Sequence, residues 1–152
     1  MSARNEEKTV FVDTNIFLRV LVKENERMFI DCREVLTLIS KGSLAAFTNT
    51  VVLVEIQFVL TTVYKQSREK VKEALIAVLS VPNMKIIDDT DAHLALSLFS
   101  KTNVKFTDCL IASSKRLQIR QEAILSYDRD FDRLHVSRIE PWKLAHTYKE
   151  SP

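Results

Sequence analysis

Only one glycine, Gly42, stands in this chain of 152 residues. A glycine-rich phosphate cradle or a dinucleotide fingerprint needs several glycines at fixed spacing, so both are excluded. Any phosphate must be held by a cation, by side chains or by helix ends. Cysteine is nearly as scarce. Cys32 and Cys109 build no disulfide framework. The polar stretch from Met1 to Lys8 lacks the apolar segment of a secretory signal. Reduced thiols and a cytoplasmic setting are the expectation. The three histidines, His93, His135 and His146, have no ligand spacing with one another or with the cysteines, which argues against zinc. Long hydrophobic runs are missing too. The most apolar stretch, Val51 to Leu60, carries Glu55 and Gln57 and is too short to span a bilayer. An excess of one charge is also missing, since 22 basic and 20 acidic residues leave +2. Nucleic acid, if bound, must be attracted by local placement of charge.

What is present is an ordinary globular composition, 46% hydrophobic and 28% charged, which excludes general disorder. The length predicts a single domain over 1–152, large enough to bury a core without disulfides or structural metal. Thr9 to Val12 is a short apolar run ending at Asp13, Asn15 to Val22 is helical, and Asn25 opens a periodic helix to Ile39. Leu44 to Phe47 is a second strand, and Thr48, Asn49 or Thr50 can cap a helix to about Lys65. Ser67 caps a helix with Val71, Leu75, Val78 and Leu79 inward. Met84 to Ile87 forms a third strand, and a helix carrying Leu94, Leu98 and Phe99 follows. Thr107 opens a helix through Ile119, Ala123 to Ser126 is a fourth strand, and Val136 to Ile139 a fifth, closed by Pro141. The tail from His146 is expected to fray. Strands alternating with helices predict an α/β fold with one parallel sheet covered on both faces.

Four acidic signals punctuate this pattern: Asp13, Glu55, Asp108 and Asp128. Each lies at a strand end or in the helix that follows, and in a parallel sheet those positions meet at one edge. Clustered carboxylates raise one another's pKa unless a cation neutralises them, so the economical explanation is a divalent metal site. Singly, the aspartates have plainer explanations. Asp13 is placed as an N-cap, Asp108 as a partner of a helix dipole, and Asp128 and Asp130 as turn residues. Glu55 is harder to dismiss. Its helical neighbours Val51, Val52, Phe58 and Val59 are apolar and no Lys or Arg lies within a turn, so an ionised carboxylate there is costly. It must reach the helix edge, a distant Arg, or a cation or water network at the sheet edge. Oxygen-only ligands suit Mg²⁺ or Mn²⁺, and such an ion supplies an activated water for phosphodiester hydrolysis. No Ser-His-Asp or Cys-His arrangement competes, and Cys109 fits a small core residue better than a nucleophile.

These residues carry a family resemblance. Val10-Phe-Val-Asp13-Thr-Asn15, Val54-Glu55-Ile-Gln-Phe-Val-Leu60, Phe106-Thr-Asp108-Cys-Leu-Ile-Ala112 and Leu125-Ser126-Tyr-Asp128-Arg-Asp130-Phe131 together resemble the PIN-domain ribonucleases. Among those, the chain is most similar to the VapC-type toxins of toxin–antitoxin pairs. The likeness runs from Thr9 to Trp142, a core of about 9–142. It implies a three-layer α/β/α sandwich with a parallel sheet, PIN-like, in strand order 3-2-1-4-5. It implies a Mg²⁺- or Mn²⁺-dependent endoribonuclease that cleaves single-stranded regions of RNA and leaves a 5′-phosphate. Asp13, Glu55, Asp108 and Asp128 would be the catalytic, metal-binding carboxylates, Asp130 a less regular ligand, and Asn15 and Ser126 supporting polar residues. A homodimer and a cognate antitoxin protein are the implied partners.

Other basic and aromatic residues lie around the third and fourth motifs. Arg129, Lys115 and Arg116 are candidates to hold RNA phosphates, with Lys101, Lys105, Arg120 and Arg133 nearby in sequence. Each has a solvated face as its plainer explanation. Tyr64, Tyr127 and Phe131 could stack on bases or pack in the core. Rival functions are a PIN-like nuclease of RNA maturation or decay, a PIN-like scaffold that binds RNA without cutting, and a phospho-receiver-like domain. The last needs an adjacent acidic pair after strand one, whereas Asp13 stands between Val12 and Thr14.

Overall fold

The computed structural model describes residues 9–120 and 122–150. Five strands, β1 (Thr9–Val12), β2 (Ala45–Thr48), β3 (Met84–Ile86), β4 (Ala123–Leu125) and β5 (Arg138–Ile139), form one sheet. All neighbours pair in parallel in the order β3-β2-β1-β4-β5. The helices are α1 (Thr14–Leu21), α2 (Glu26–Ser40), α3 (Thr50–Thr62), α4 (Arg68–Leu79), α5 (Ala92–Lys101), α6 (Phe106–Ala112), α7 (Lys115–Gln118) and α8 (Pro141–Lys149). A 3-10 turn spans Arg129–Leu134. They flank the sheet, giving the three-layer α/β/α sandwich with the expected strand order.

The central strands are apolar without alternation because both faces are covered. Phe11, Val12, Ile124 and Leu125 are fully buried. Phe11 and Phe47 face each other across the β1–β2 pair and meet edge to face with centroids 5.2 Å apart, a favoured aromatic geometry. The chain leaves β1 toward β2 and β3, then returns to β4 on the other side. Strand order therefore reverses between β1 and β4, and a crevice opens at their carboxyl ends.

Several local expectations need correction. The helix expected from Thr107 through Ile119 breaks into α6 and α7 at Ser113 and Ser114. Ser113 Oγ donates to Leu110 O, and Ser114 Oγ donates to Asp89 Oδ1 at 2.7 Å; such local bonds compete with helix continuation. Pro141 does follow the end of β5, and it also stands at the first position of a helix, α8, where its missing N–H costs nothing. Leu144 and Ala145 of α8 are buried and Lys149 Nζ meets Glu34 Oε1 on α2 at 2.9 Å. The tail thus stays helical to Lys149 rather than fraying from His146. Leu79, expected inward, is 57% exposed. The buried positions of that helix, α4, are Val71, Ala74 and Val78. No described helix is long and apolar enough to cross a membrane.

Candidate active site

Asp13 follows directly on β1. Its N–H donates to Leu125 O at 3.1 Å, which continues the β1–β4 ladder by one residue and fixes the backbone beside β4. The residue sits at the N-cap of α1, yet its side chain makes no capping hydrogen bond. Instead Asp13 Oδ2 accepts from Ser126 Oγ at 2.6 Å and from Asn15 Nδ2 at 3.1 Å. Ser126 Oγ in turn accepts from Asn15 Nδ2 at 3.1 Å and from Asp128 N at 3.0 Å. Asn15 and Ser126 therefore clamp one carboxylate oxygen and tie the exit of β4 to the exit of β1. The other oxygen, Asp13 Oδ1, is buried with no partner.

Asp108 arrives from α6 and is buried, with Oδ2 also lacking a partner. Glu55 arrives from α3, held at its start by Asn49, whose Oδ1 accepts from Val52 N at 3.1 Å. Its side chain is 14% exposed, and Oε2 is buried without a partner. Of its apolar neighbours, Val52 is buried while Phe58 is exposed, so the residue stands at the rim of the core. Lys105 Nζ stands 3.6 Å from Glu55 Oε1 and 3.8 Å from Asp108 Oδ1. The distant partner expected for Glu55 is an arginine; the fold brings in a lysine instead.

Asp128 caps the 3-10 turn, with Oδ1 accepting from Asp130 N at 2.9 Å, so one of its oxygens serves the turn as its sequence context suggested. Carboxylate oxygens of Asp108, Asp128 and Asp130 all lie within 4.8 Å of one another. Asp130 is also paired with Arg133.

The electrostatics follow from burial first and from this crowding second. Asp13 is pushed from 3.8 up to about 7, first by burial and then by Glu55 and Asp128, against the Ser126 hydrogen bond and the Thr14 backbone. Asp108 is pushed up to about 8, again first by burial, with Lys105 opposing and Asp13, Asp128 and Glu55 adding repulsion. Buried acids with orphaned oxygens are costly in an apolar interior. An oxygen-only donor set of this charge fits a hard divalent cation such as Mg²⁺ or Mn²⁺.

The proposed phosphate-binding residues are less unified. Arg129 is exposed directly beside Asp128. Lys115 is exposed at the start of α7. Arg116 is drawn away from the acids. It pairs with Glu122 Oε1 at 3.1 Å, lies over the Phe47 ring, and lines a hollow with Thr9, Ala45 and Met84, the first residues of three strands. That is the opposite edge of the sheet. Phe131 is fully buried, Tyr127 Oη contacts the Cys32 thiol at 3.7 Å, and Tyr64 donates to Glu24 at 2.9 Å. All three are engaged by the protein itself. Two residues beside the acids carried too little signal to be singled out from sequence. Lys105 was one of many basic residues, although it precedes Asp108 by a helical i,i+3 step. Thr14 has a buried hydroxyl with no partner, next to Asp13.

No curated protein sequence matches the chain. In three dimensions it is similar to VapBC2 from Rickettsia felis bound to a DNA fragment from their promoter, with TM-score 0.63, 21% identity, and 87% of this chain and 98% of that one covered. It is also similar to DNA-bound VapBC from Salmonella typhimurium, with TM-score 0.61, 17% identity, and 88% and 98% covered. At those identities the likeness concerns the fold. The PIN domain profile matches residues 10–136, which takes in all four acids, the clamp around Asp13 and every strand but the last. The chain belongs to the PIN domain family.

Proposed function

We propose that this single-domain protein is a Mg²⁺- or Mn²⁺-dependent endoribonuclease that cleaves single-stranded regions of RNA. We further propose that it is the cytoplasmic toxin of a toxin–antitoxin pair, a homodimer silenced by a cognate antitoxin. The observation that carries the chemistry is that three of the four buried carboxylate oxygens without partners among the described residues, Asp13 Oδ1, Glu55 Oε2 and Asp108 Oδ2, belong to the proposed site acids. They are contributed by separate elements around one crevice. The toxin assignment rests on the motif style and on the VapBC complexes that share the fold.

Asp13, Glu55, Asp108 and Asp128 would hold the cation, with Asp130 beside them. A divalent cation there supplies positive charge for the phosphodiester and a water of lowered pKa. The chain's own contribution is positional. Ser126 and Asn15 fix Asp13 Oδ2, so its remaining oxygen has one direction in which to act. Ser126 also fixes the backbone of Asp128 through its N–H. Arg129, exposed next to Asp128, is placed to meet an RNA phosphate by its charge, with salt-sensitive affinity. Purified protein should cut single-stranded RNA with Mg²⁺ or Mn²⁺ and stop with EDTA. Expression alone should arrest growth, and soluble Asp108→Asn should relieve the arrest. An equally toxic, nuclease-dead variant would defeat the toxin assignment, and EDTA-resistant cleavage would defeat the metal site.

A further inference from the structure

We propose that Lys105 is an internal counter-ion of the acidic crevice, holding Glu55 and Asp108 in the metal-free protein and competing with the divalent cation for them. This rests on the metal site proposed above. Among the described residues, Lys105 is the only basic side chain within 4.0 Å of Asp13, Glu55, Asp108 or Asp128. Helix stability does not account for it. Lys105 occupies the N-cap of α6 and makes no capping hydrogen bond. A lysine offers no acceptor for the free N–H groups there, and its charge sits at the end of the helix where cations are disfavoured. Its ammonium is placed by the carboxylates, not by the helix.

The geometry is that of a removable ion. At 3.6 Å and 3.8 Å the contacts are longer than hydrogen bonds, so the attraction is coulombic and weakly directional. The side chain is 57% exposed, so the ammonium can leave the crevice for water while its stem stays in place. The neutralisation is also partial. One ammonium faces Glu55 and Asp108, while Glu55 Oε2, Asp108 Oδ2 and Asp13 Oδ1 remain without partners. A dication brings twice the charge and can be shared by more of these oxygens. Loading the site therefore releases Lys105 to the crevice mouth, where an incoming phosphodiester would pass.

The test is calorimetric titration of the full chain with MnCl₂, alongside melting curves in EDTA. It compares wild type, K105M, K105Q and K105R, with K101M as a control that removes a lysine from the neighbouring α5. K105M and K105Q should bind Mn²⁺ about 3- to 10-fold more tightly than wild type, tenfold corresponding to about 1.4 kcal/mol. Both should melt lower than wild type without metal. K105R and K101M should keep the wild-type affinity. The gap between K105M and wild type should narrow as salt is raised. Unchanged or weaker Mn²⁺ binding by both uncharged variants overturns the proposal while leaving the metal site intact. If K101M tightens binding as much as K105M, the effect is one of total charge and the proposal also fails. Absence of Mn²⁺ binding in every protein overturns the metal site and this inference together.

Discussion

Two groups of acids lie near each other in this fold and behave in opposite ways. The segment after β3 carries Asp88, Asp89 and Asp91 within four residues, a denser acidic run than any of the four proposed site motifs. Each is satisfied by the protein. Asp88 Oδ1 accepts from Thr50 N at 2.8 Å and Thr50 Oγ1 at 2.9 Å. Asp89 accepts from Ser114 Oγ at 2.7 Å and Arg116 N at 3.2 Å, and Asp91 Oδ1 caps α5 by accepting from Leu94 N at 3.0 Å. These side chains finish helix ends and brace a connection. The site acids are scattered in sequence, converge in space and leave buried oxygens unsatisfied. Acid density therefore does not mark a cation site; unsatisfied carboxylate oxygens from several acids around one crevice do, whereas Glu122 Oε2, also without a partner, belongs to a lone acid paired with Arg116.

The sharpest way to break this contrast is by activity. With Mg²⁺ or Mn²⁺, Asp13→Asn, Glu55→Gln, Asp108→Asn and Asp128→Asn should each lower RNA cleavage by at least about a hundredfold. Asp88→Asn and Asp89→Asn should stay within a few-fold of wild type. If Asp89→Asn is as inactive as Asp108→Asn while folded, the two groups are not functionally distinct.

Metal-dependent stability comes next. At a hundredfold excess over Kd, Mn²⁺ should stabilise wild type by about 2.7 kcal/mol, a rise of roughly 5–10 °C in Tm for a domain of this size. Asp89→Ala should gain as much, and Asp108→Asn far less. Scanning calorimetry with EDTA and with Mn²⁺ reads the difference, and an equal gain in Asp108→Asn would remove Asp108 from the ligand set.

Without metal the ranking should invert. Asp89→Ala loses hydrogen bonds to a hydroxyl and a helix N–H, a cost of about 1–2 kcal/mol. Asp108→Asn removes a carboxyl whose ionised form burial and neighbours disfavour, so above about pH 8 it should be neutral or stabilising. Urea unfolding in EDTA separates the two.

The smallest effect is on pH dependence. Asp13 and Asp108 titrate near 7 and 8 in the folded protein against an ordinary 3.8. The folded state therefore holds protons that the unfolded state has released. Their contribution to stability is full below about pH 4 and is lost as pH rises toward 8. Metal-free Tm should fall between pH 5 and pH 8, with a shallower slope in Asp108→Asn. Mn²⁺ should oppose that fall, because ligands must lose protons to bind it. A flat metal-free profile would show that the crevice is more hydrated than its burial implies.

Much of this molecule was legible in one dimension because its signals are local. Apolar runs at Val10–Val12 and Ala123–Leu125 need only be buried on both faces, and Asn25, Asn49, Ser67 and Asp91 cap the helices they precede. The ordered motifs around Asp13, Glu55, Asp108 and Asp128 were enough to suggest the family. Local rules misled where side chains answered to distant neighbours. Ser113 and Ser114 broke a helix by bonding toward the segment before α5, and α8 persists beyond His146 because α2 receives it. Arg116, grouped in sequence with the site, is taken to the far edge of the sheet by Glu122 and Phe47.

The sequence by itself determined the alternation of strands and helices, the caps and which acids stand at strand ends, since backbone preference and hydrophobic period act over a few residues. Only the tertiary structure decided which carboxylate oxygens go unsatisfied, that Ser126 and Asn15 clamp Asp13, and that Lys105 faces Glu55. Those relations join residues up to 113 positions apart, and the electrostatic cost of a buried charge depends on every group around it, whatever its place in the chain.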